Sequence, residues 1–130
     1  MAIPNGAGGY QVGDGNLSEV NMGVQSTPVA VTAAATLTAA QLTNGIITYT
    51  GAVATVTLPT AALTDALVSS AKVNSSFDFA VINIGGTNTV TIAGGTGWTL
   101  VGTATVAAGV SSQWRAVKTG DAAWSVYRLA

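Results

Sequence analysis

The sequence predicts an all-β protein: an antiparallel β-sandwich, jelly-roll-like, with one short helix and an extended N-terminal arm. Three observations predict it. From residue 29 onward, short runs of Val, Thr, Ala and Ile alternate apolar and polar positions, with turn signals every 8 to 12 residues or so. Glycines, together with Asn-Gly and Gly-Asp pairs, stand between these runs. Ahead of residue 29 lies a stretch too glycine-rich to hold one shape alone, because fixing a glycine backbone costs the most entropy. The chain therefore divides into an arm, 1–28, and a sandwich domain, 29–130.

The arm contains six glycines, and its apolar residues stand apart at Ile3, Tyr10, Val12, Leu17, Val20, Met22 and Val24. It reads either as a disordered tail or as an extended arm that docks these residues on a neighbouring protein. Disordered tails carry more charge and fewer apolar residues than this one, which favours the arm. Within it, "DGNLSE" (14–19) sets Asp14, Asn16 and Glu19 near a calcium-loop spacing. The loop is too short for an EF-hand and lacks further acids, so it reads as a turn.

In the body, "VAVTAAATL" (29–37) has strand chemistry. Thr38 and Gln41 fit a capping box and predict one helical turn before Asn44-Gly45. "IITYT" (46–50) and "VATVTL" (53–58) are strands. "TAALTDALVSSA" (60–71) is the one substantial helix, opened by Pro59 and Thr60. Its apolar stripe of Leu63, Leu67, Val68 and Ala71 is expected to face the sheet, with Thr64 and Asp65 outside. "SFDFAVINI" (76–84) is apolar on both faces and should be central. Strands follow at 88–94, 98–102, 104–109, 111–119 and 123–129. No repeat of fixed period emerges, which argues against a solenoid.

Composition narrows the functions. The chain has no cysteine and no histidine, which removes disulfides, thiolate metal sites and the commonest general base. Charged residues make up 7% of the chain, where about 25% is usual. Lys72, Arg115, Lys118 and Arg128 are scattered, so a nucleic-acid partner is not expected. The five acids are scattered too, and two lysines offer little activation of a hydroxyl. The expectation is a protein that is not an enzyme and binds no cofactor and no metal. No apolar run approaches the ~20 residues that span a bilayer, and no export signal is evident at the start; synthesis in the cytoplasm without a membrane partner is expected. "GGTGWTLVG" (94–102) joins two strands without a following helix, so it reads as hairpin turns and not as a phosphate loop. Trp98, Trp114, Trp124 and Tyr127 could stack on sugar rings, yet their apolar neighbours favour packing in the core or at a subunit interface. Asp78, if buried, needs Arg115 or Arg128 as its partner. A surface this poor in charge suits a protein that is partly covered by others.

The opening "MAIPNGAGGYQVGDGNLSEV", the stretch "LTAAQLTNGIITYTGAVATVTLPTAALTDAL", and then "SSFDFAVIN", "GTGWTLVG" and "WRAVKTGDAAWSVYRL" resemble the small head decoration (cement) and structural proteins of tailed bacteriophages. The likeness covers most of the chain and rests on patterns of strands and turns, so no site residue transfers from it. It implies a β-sandwich structural protein that forms a homotrimer, binds the outside of the major capsid protein lattice and stabilises the virion head. The contrasting expectation is a receptor- or glycan-binding module of a phage tail fibre or spike.

Overall fold

The computed structural model describes residues 22–130. Its elements begin with a division. The stretch read as one strand over 29–37 becomes β1 (Val29–Val31) and β2 (Ala35–Thr36), separated by a bend at 33–34 that sends the halves to different sheets. Next is α1 (Ala39–Thr43). Its capping box is as the sequence predicts: Gln41 N donates to Thr38 Oγ1 at 3.1 Å, and Thr38 N donates to Gln41 Oε1 at 2.9 Å. β3 (Ile46–Tyr49) and β4 (Ala54–Thr57) follow, then α2 (Ala61–Leu67), whose N-cap Thr60 accepts from Leu63 N at 3.2 Å. The rest is β5 (Ser76–Asn83), β6 (Val90–Ala93), β7 (Trp98–Val101), β8 (Thr105–Val106), β9 (Ser111–Gly120) and β10 (Ala123–Arg128).

The strands form two sheets, ordered β1-β3-β5-β9-β10-β7 and β2-β4-β6-β8. Both are mixed, with five parallel and three antiparallel pairings, which corrects the antiparallel expectation. The reason lies in the short connections. Segments such as 32–34 and 50–53 carry the chain across to the other sheet and do not fold it back on the same one. Successive strands in each sheet therefore stack in parallel: β1, β3, β5 in one and β2, β4, β6 in the other. The result is a short winding of stacked turns, closed by the β9–β10 hairpin. Its turns differ in length. Val29 lies opposite Ile47, whereas Ile46 lies opposite Ala80, because the second turn carries α2 and the loop after it. A stacked arrangement thus exists without any fixed period in the sequence.

Buried polar groups hold the crossings between the sheets. Asn83 is 1% exposed. Its Nδ2 donates to the Asn88 carbonyl at 2.7 Å and the Val106 carbonyl at 3.0 Å, and its Oδ1 accepts from Gly85 N at 3.2 Å. Asn88 Nδ2 in turn donates to the Gly51 carbonyl at 2.9 Å, and the Tyr49 hydroxyl donates to the Ala52 carbonyl at 2.6 Å. These bonds satisfy the loop carbonyls of Gly51, Ala52 and Asn88 and tie Asn83 to the end of β8. Inward residues of both sheets, among them Tyr49, Val56, Phe79, Ile92, Trp114 and Val126, join one hydrophobic cluster.

The helix α2 is rotated from the orientation its apolar stripe predicts: Val68 and Ala71, just past its end, pack against the core as expected, but Leu63 and Leu67 do not. Ala61 and Thr64 are fully buried, while Leu63 and Leu67 are 57% and 49% exposed. Two constraints decide this. The space beneath the helix admits only small side chains, as the packing of Ala61 near Gly97 shows. Asp65 must also point inward to reach Lys118 and Trp124. Thr64 is accommodated because its hydroxyl donates to the Thr60 carbonyl at 3.2 Å.

The glycine-rich turn at 94–97 is not a hairpin, since β6 and β7 belong to different sheets. It threads between backbone carbonyls. Gly97 has φ +90°, and a Cβ there would lie 2.5 Å from the Ala122 carbonyl oxygen and 2.7 Å from Ala61 Cβ. Gly97→Ala is expected to destabilise the protein by about 2–4 kcal/mol, from left-handed backbone strain plus overpacking. Urea denaturation of the purified variant checks this, and an unchanged midpoint would contradict the packing described.

Among the described residues, no helix is long and apolar enough to cross a membrane.

Candidate interaction surface

Strand alternation gives the six-stranded sheet an inner and an outer face. On β5 and β9, Phe79, Val81, Asn83, Ser112, Trp114, Ala116 and Lys118 point inward. Asp78, Ala80, Ile82, Gln113, Arg115 and Val117 point outward. Register then builds rows across the outer face. One row runs Val101, Tyr127, Arg115, Asp78 over β7, β10, β9 and β5. Another runs Thr48, Ile82, Ser111 over β3, β5 and β9. The face is thus made of small, apolar and hydroxyl side chains around a single ion pair. Val101 and Tyr127 are 46% and 36% exposed, and Leu129, just beyond β10, is 49% exposed.

That ion pair is bidentate. Arg115 Nε donates to Asp78 Oδ1 at 2.7 Å and Nη2 donates to Oδ2 at 3.0 Å. The Arg115 guanidinium holds the Asp78 carboxyl below its ordinary value, and Asp78 raises Arg115 in return. Of the two partners expected for Asp78, Arg115 is the one it has, but the pair is at the surface and not buried, with side chains 40% and 49% exposed for Asp78 and Arg115. Exposed pairs of this kind add little stability in water. What this one does is cancel the charge of the face.

Three other charged side chains, Asp65, Lys118 and Arg128, are engaged within the body. Lys118 Nζ donates to Asp65 Oδ1 at 2.6 Å, Trp124 Nε1 donates to the same oxygen at 2.7 Å, and Ala122 N donates to Oδ2 at 2.7 Å. The hydrogen bond from Lys118 leads in holding the Asp65 carboxyl below its ordinary value, against the opposing effect of burial. The Arg128 guanidinium sits 5.5 Å over the Trp114 ring and donates to the carbonyls of Thr103 and Thr105. Lys72 and Asp121 lie in loops.

Trp114 and Trp124 are 0% and 1% exposed, so neither offers a ring to a ligand. Trp114 stacks on Phe79 with centroids 6.2 Å apart. Trp98 is half-buried, lies 5.8 Å from Trp124 and donates from Nε1 to the Pro59 carbonyl at 2.7 Å. Tyr127 stands apart from these three, on the outer face. Of the arm residues, Met22 and Val24 are described and are 88% and 100% exposed. Ile3, Tyr10, Val12, Leu17, Val20 and the 14–19 turn lie outside the described residues. The base of the arm is pinned: Gln25 Nε2 donates to the carbonyl and to Oδ1 of Asn44, each at 3.0 Å, and Asn44 Nδ2 donates to the Thr27 carbonyl at 3.0 Å. Asn44 is the C-cap of α1, so the arm leaves the body at a fixed point.

The sequence reading missed the outer-face residues Ala80, Ile82, Gln113 and Val117. Their alternation was visible, but β5, apolar on both faces, was read for its central place in the sheet, which it has, and not for its outer face.

The chain matches no known protein family, no curated protein and no solved structure.

Proposed function

We propose that this protein is a capsid decoration (cement) protein of a tailed bacteriophage. In this reading its two sheets serve as a sandwich-like body, three copies associate through apolar strand faces, and the arm extends onto the major capsid protein on the outside of the head. The observation that carries the reading is the neutral outer face of the six-stranded sheet, where Asp78 and Arg115 cancel each other amid Ala80, Ile82, Val117 and Tyr127. A face of this kind does little to keep free monomers apart and is suited to being covered. The exit of a pinned arm with exposed Met22 and Val24 supports it further. Each apolar anchor buried on a neighbour contributes about 1–3 kcal/mol, and three arms on one trimer reinforce one another through effective concentration.

The contrasting glycan-binding module of a tail fibre would use exposed aromatic platforms, and the burial of Trp114 and Trp124 counts against it. Deleting residues 1–24 tests the proposal, because Gln25 and Thr27 stay in place and the body keeps its clip on Asn44. The expected result is a body with an unchanged unfolding midpoint that no longer co-sediments with phage capsids. Full capsid binding by the truncated chain would refute the role of the arm. Many copies per particle in purified virions mark a head protein, and a few copies mark a tail protein.

A further inference from the structure

The rotated packing of α2 leaves an apolar groove of about 620 Å³ lined by Thr36, Leu37, Thr38, Ala39, Leu63, Ala66 and Leu67. Leu37 is 3% exposed, whereas Leu63 and Leu67 are half-exposed. One wall is β2, the edge strand of the four-stranded sheet, which is paired on one side with β4. The groove thus offers an apolar slot beside an open strand edge, the arrangement by which an extended peptide adds to a sheet and inserts alternate side chains.

We infer that this groove receives the N-terminal arm, through Tyr10, Val12 or Leu17, of a second copy of this chain. The inference rests on the self-association in the reading above and names the site it uses. Four observations select the occupant. Tyr10 and Val12 stand two apart, so an extended chain turns both to one side. The arm leaves the body at Asn44, the C-cap of α1, while Thr38 and Ala39 at the other end of α1 line the groove. From Met22 back to Val12 the extended chain spans about 33 Å, enough to reach an adjoining subunit. Finally, Met22 and Val24 are almost wholly exposed, so the first described residues of the arm do not pack on their own body, which favours a groove on another copy. The groove lining carries no charged side chain, and neither does the arm around Tyr10 and Val12; Leu17 is flanked by Asp14 and Glu19.

The absence of cysteine makes the test direct. A chain carrying Tyr10→Cys, Val12→Cys or Leu17→Cys is co-expressed with a differently tagged chain carrying Leu67→Cys, and mild oxidation follows. The expected result is a disulfide-linked heterodimer with at least one arm position. The band should be lost with Val110→Cys, which follows β8 at the far edge of the same sheet, in place of Leu67→Cys. It should also weaken when Leu63→Asp is added, a change at a half-exposed position that leaves the core intact. Cross-linking only within one chain, in a variant carrying both cysteines, would overturn the inference in favour of the chain's own arm. No cross-link in a wild-type-like trimer, or a cross-link formed only to coat protein on particles, would overturn it while leaving self-association or capsid binding standing. A wild-type chain that is monomeric by light scattering would overturn the trimer and this inference together.

Discussion

Replacing Asp65 with alanine is expected to destabilise the protein by about 3 kcal/mol, because it leaves a buried cation without its partner. Lys118 is 8% exposed and gives its ammonium to Asp65 Oδ1 at 2.6 Å. The same carboxylate takes the indole N–H of Trp124 and the backbone N–H of Ala122, so one truncation strands three donors. Ala122 is held at φ 49° in the β9–β10 turn, and the bond from its N–H to Asp65 helps keep that turn closed. Adding Lys118→Met to Asp65→Ala should restore part of the loss, since a buried ion pair can be exchanged for apolar side chains at little cost. If the double variant were no better than Asp65→Ala alone, the stranded lysine would not be the cause.

The same pair predicts a pH dependence. The Asp65 carboxyl titrates below its ordinary value of 3.8 when folded, led by the Lys118 hydrogen bond. An acid depressed on folding stabilises the native state above its unfolded value and loses that contribution as pH falls through the folded one. Wild-type stability should therefore hold near neutrality and decline as the pH falls below 3.8. Asp65→Asn should be less stable near neutrality, and its gap to the wild type should narrow through that acid range. Urea midpoints taken across pH for both chains read this out. A gap independent of pH would show that the carboxylate's charge is not what Lys118 requires. Asp78 is also depressed by Arg115, but its exposure to water makes its share small.

How far the sequence spoke depended on the range of the interaction involved. The capping box at Thr38 and Gln41, the cap at Thr60, the hairpin at Gly120 and Asp121 and the Asp78–Arg115 pair rest on local chemistry or on neighbouring strands, and they were legible. The sheet to which each strand belongs was not. A bend of two residues at 33–34 decides whether 35–36 continues β1 or crosses to the other sheet, and Ala-Ala carries no turn signal. Parallel stacking was hidden for a related reason: the insertion of α2 destroys the period that would reveal it. Of the predicted apolar stripe of α2, Val68 and Ala71 were placed correctly and Leu63 and Leu67 were not, because hydrophobicity was taken to choose the face. Steric room beneath Ala61 and the demand of Lys118 for a carboxylate outweighed two leucines. Those displaced leucines form the groove, so the strongest candidate docking site arose where the simple amphipathic rule failed.

Trp114→Ala is expected to have the largest effect on stability, about 4 kcal/mol, from lost burial plus the cavity left behind. The indole is 0% exposed, at the centre of the longest strand, β9. It stacks on Phe79 across the β5–β9 pairing, with ring planes 5° apart, and carries the Arg128 guanidinium 5.5 Å from its centroid. Its Nε1 donates to Ser112 Oγ at 2.7 Å, and Ser112 passes a hydrogen bond to the Val81 carbonyl at 3.0 Å. Native domains hold about 5–15 kcal/mol in reserve, so this one truncation removes a large share and can abolish folding near body temperature. Trp114→Phe separates the contributions. It keeps most of the apolar volume and the stacking, and it drops the indole N–H while Ser112 can still donate to Val81; the expected cost is about 1–2 kcal/mol. Trp98 and Trp124 remain as fluorescent reporters in both variants, so denaturation can be followed by emission. If Trp114→Ala cost no more than Trp114→Phe, the ring would not be filling the shared core of the two sheets. The same experiment bears on function. A tryptophan that this truncation shows to be holding the core together is not available as a sugar platform, which counts against the glycan-binding reading.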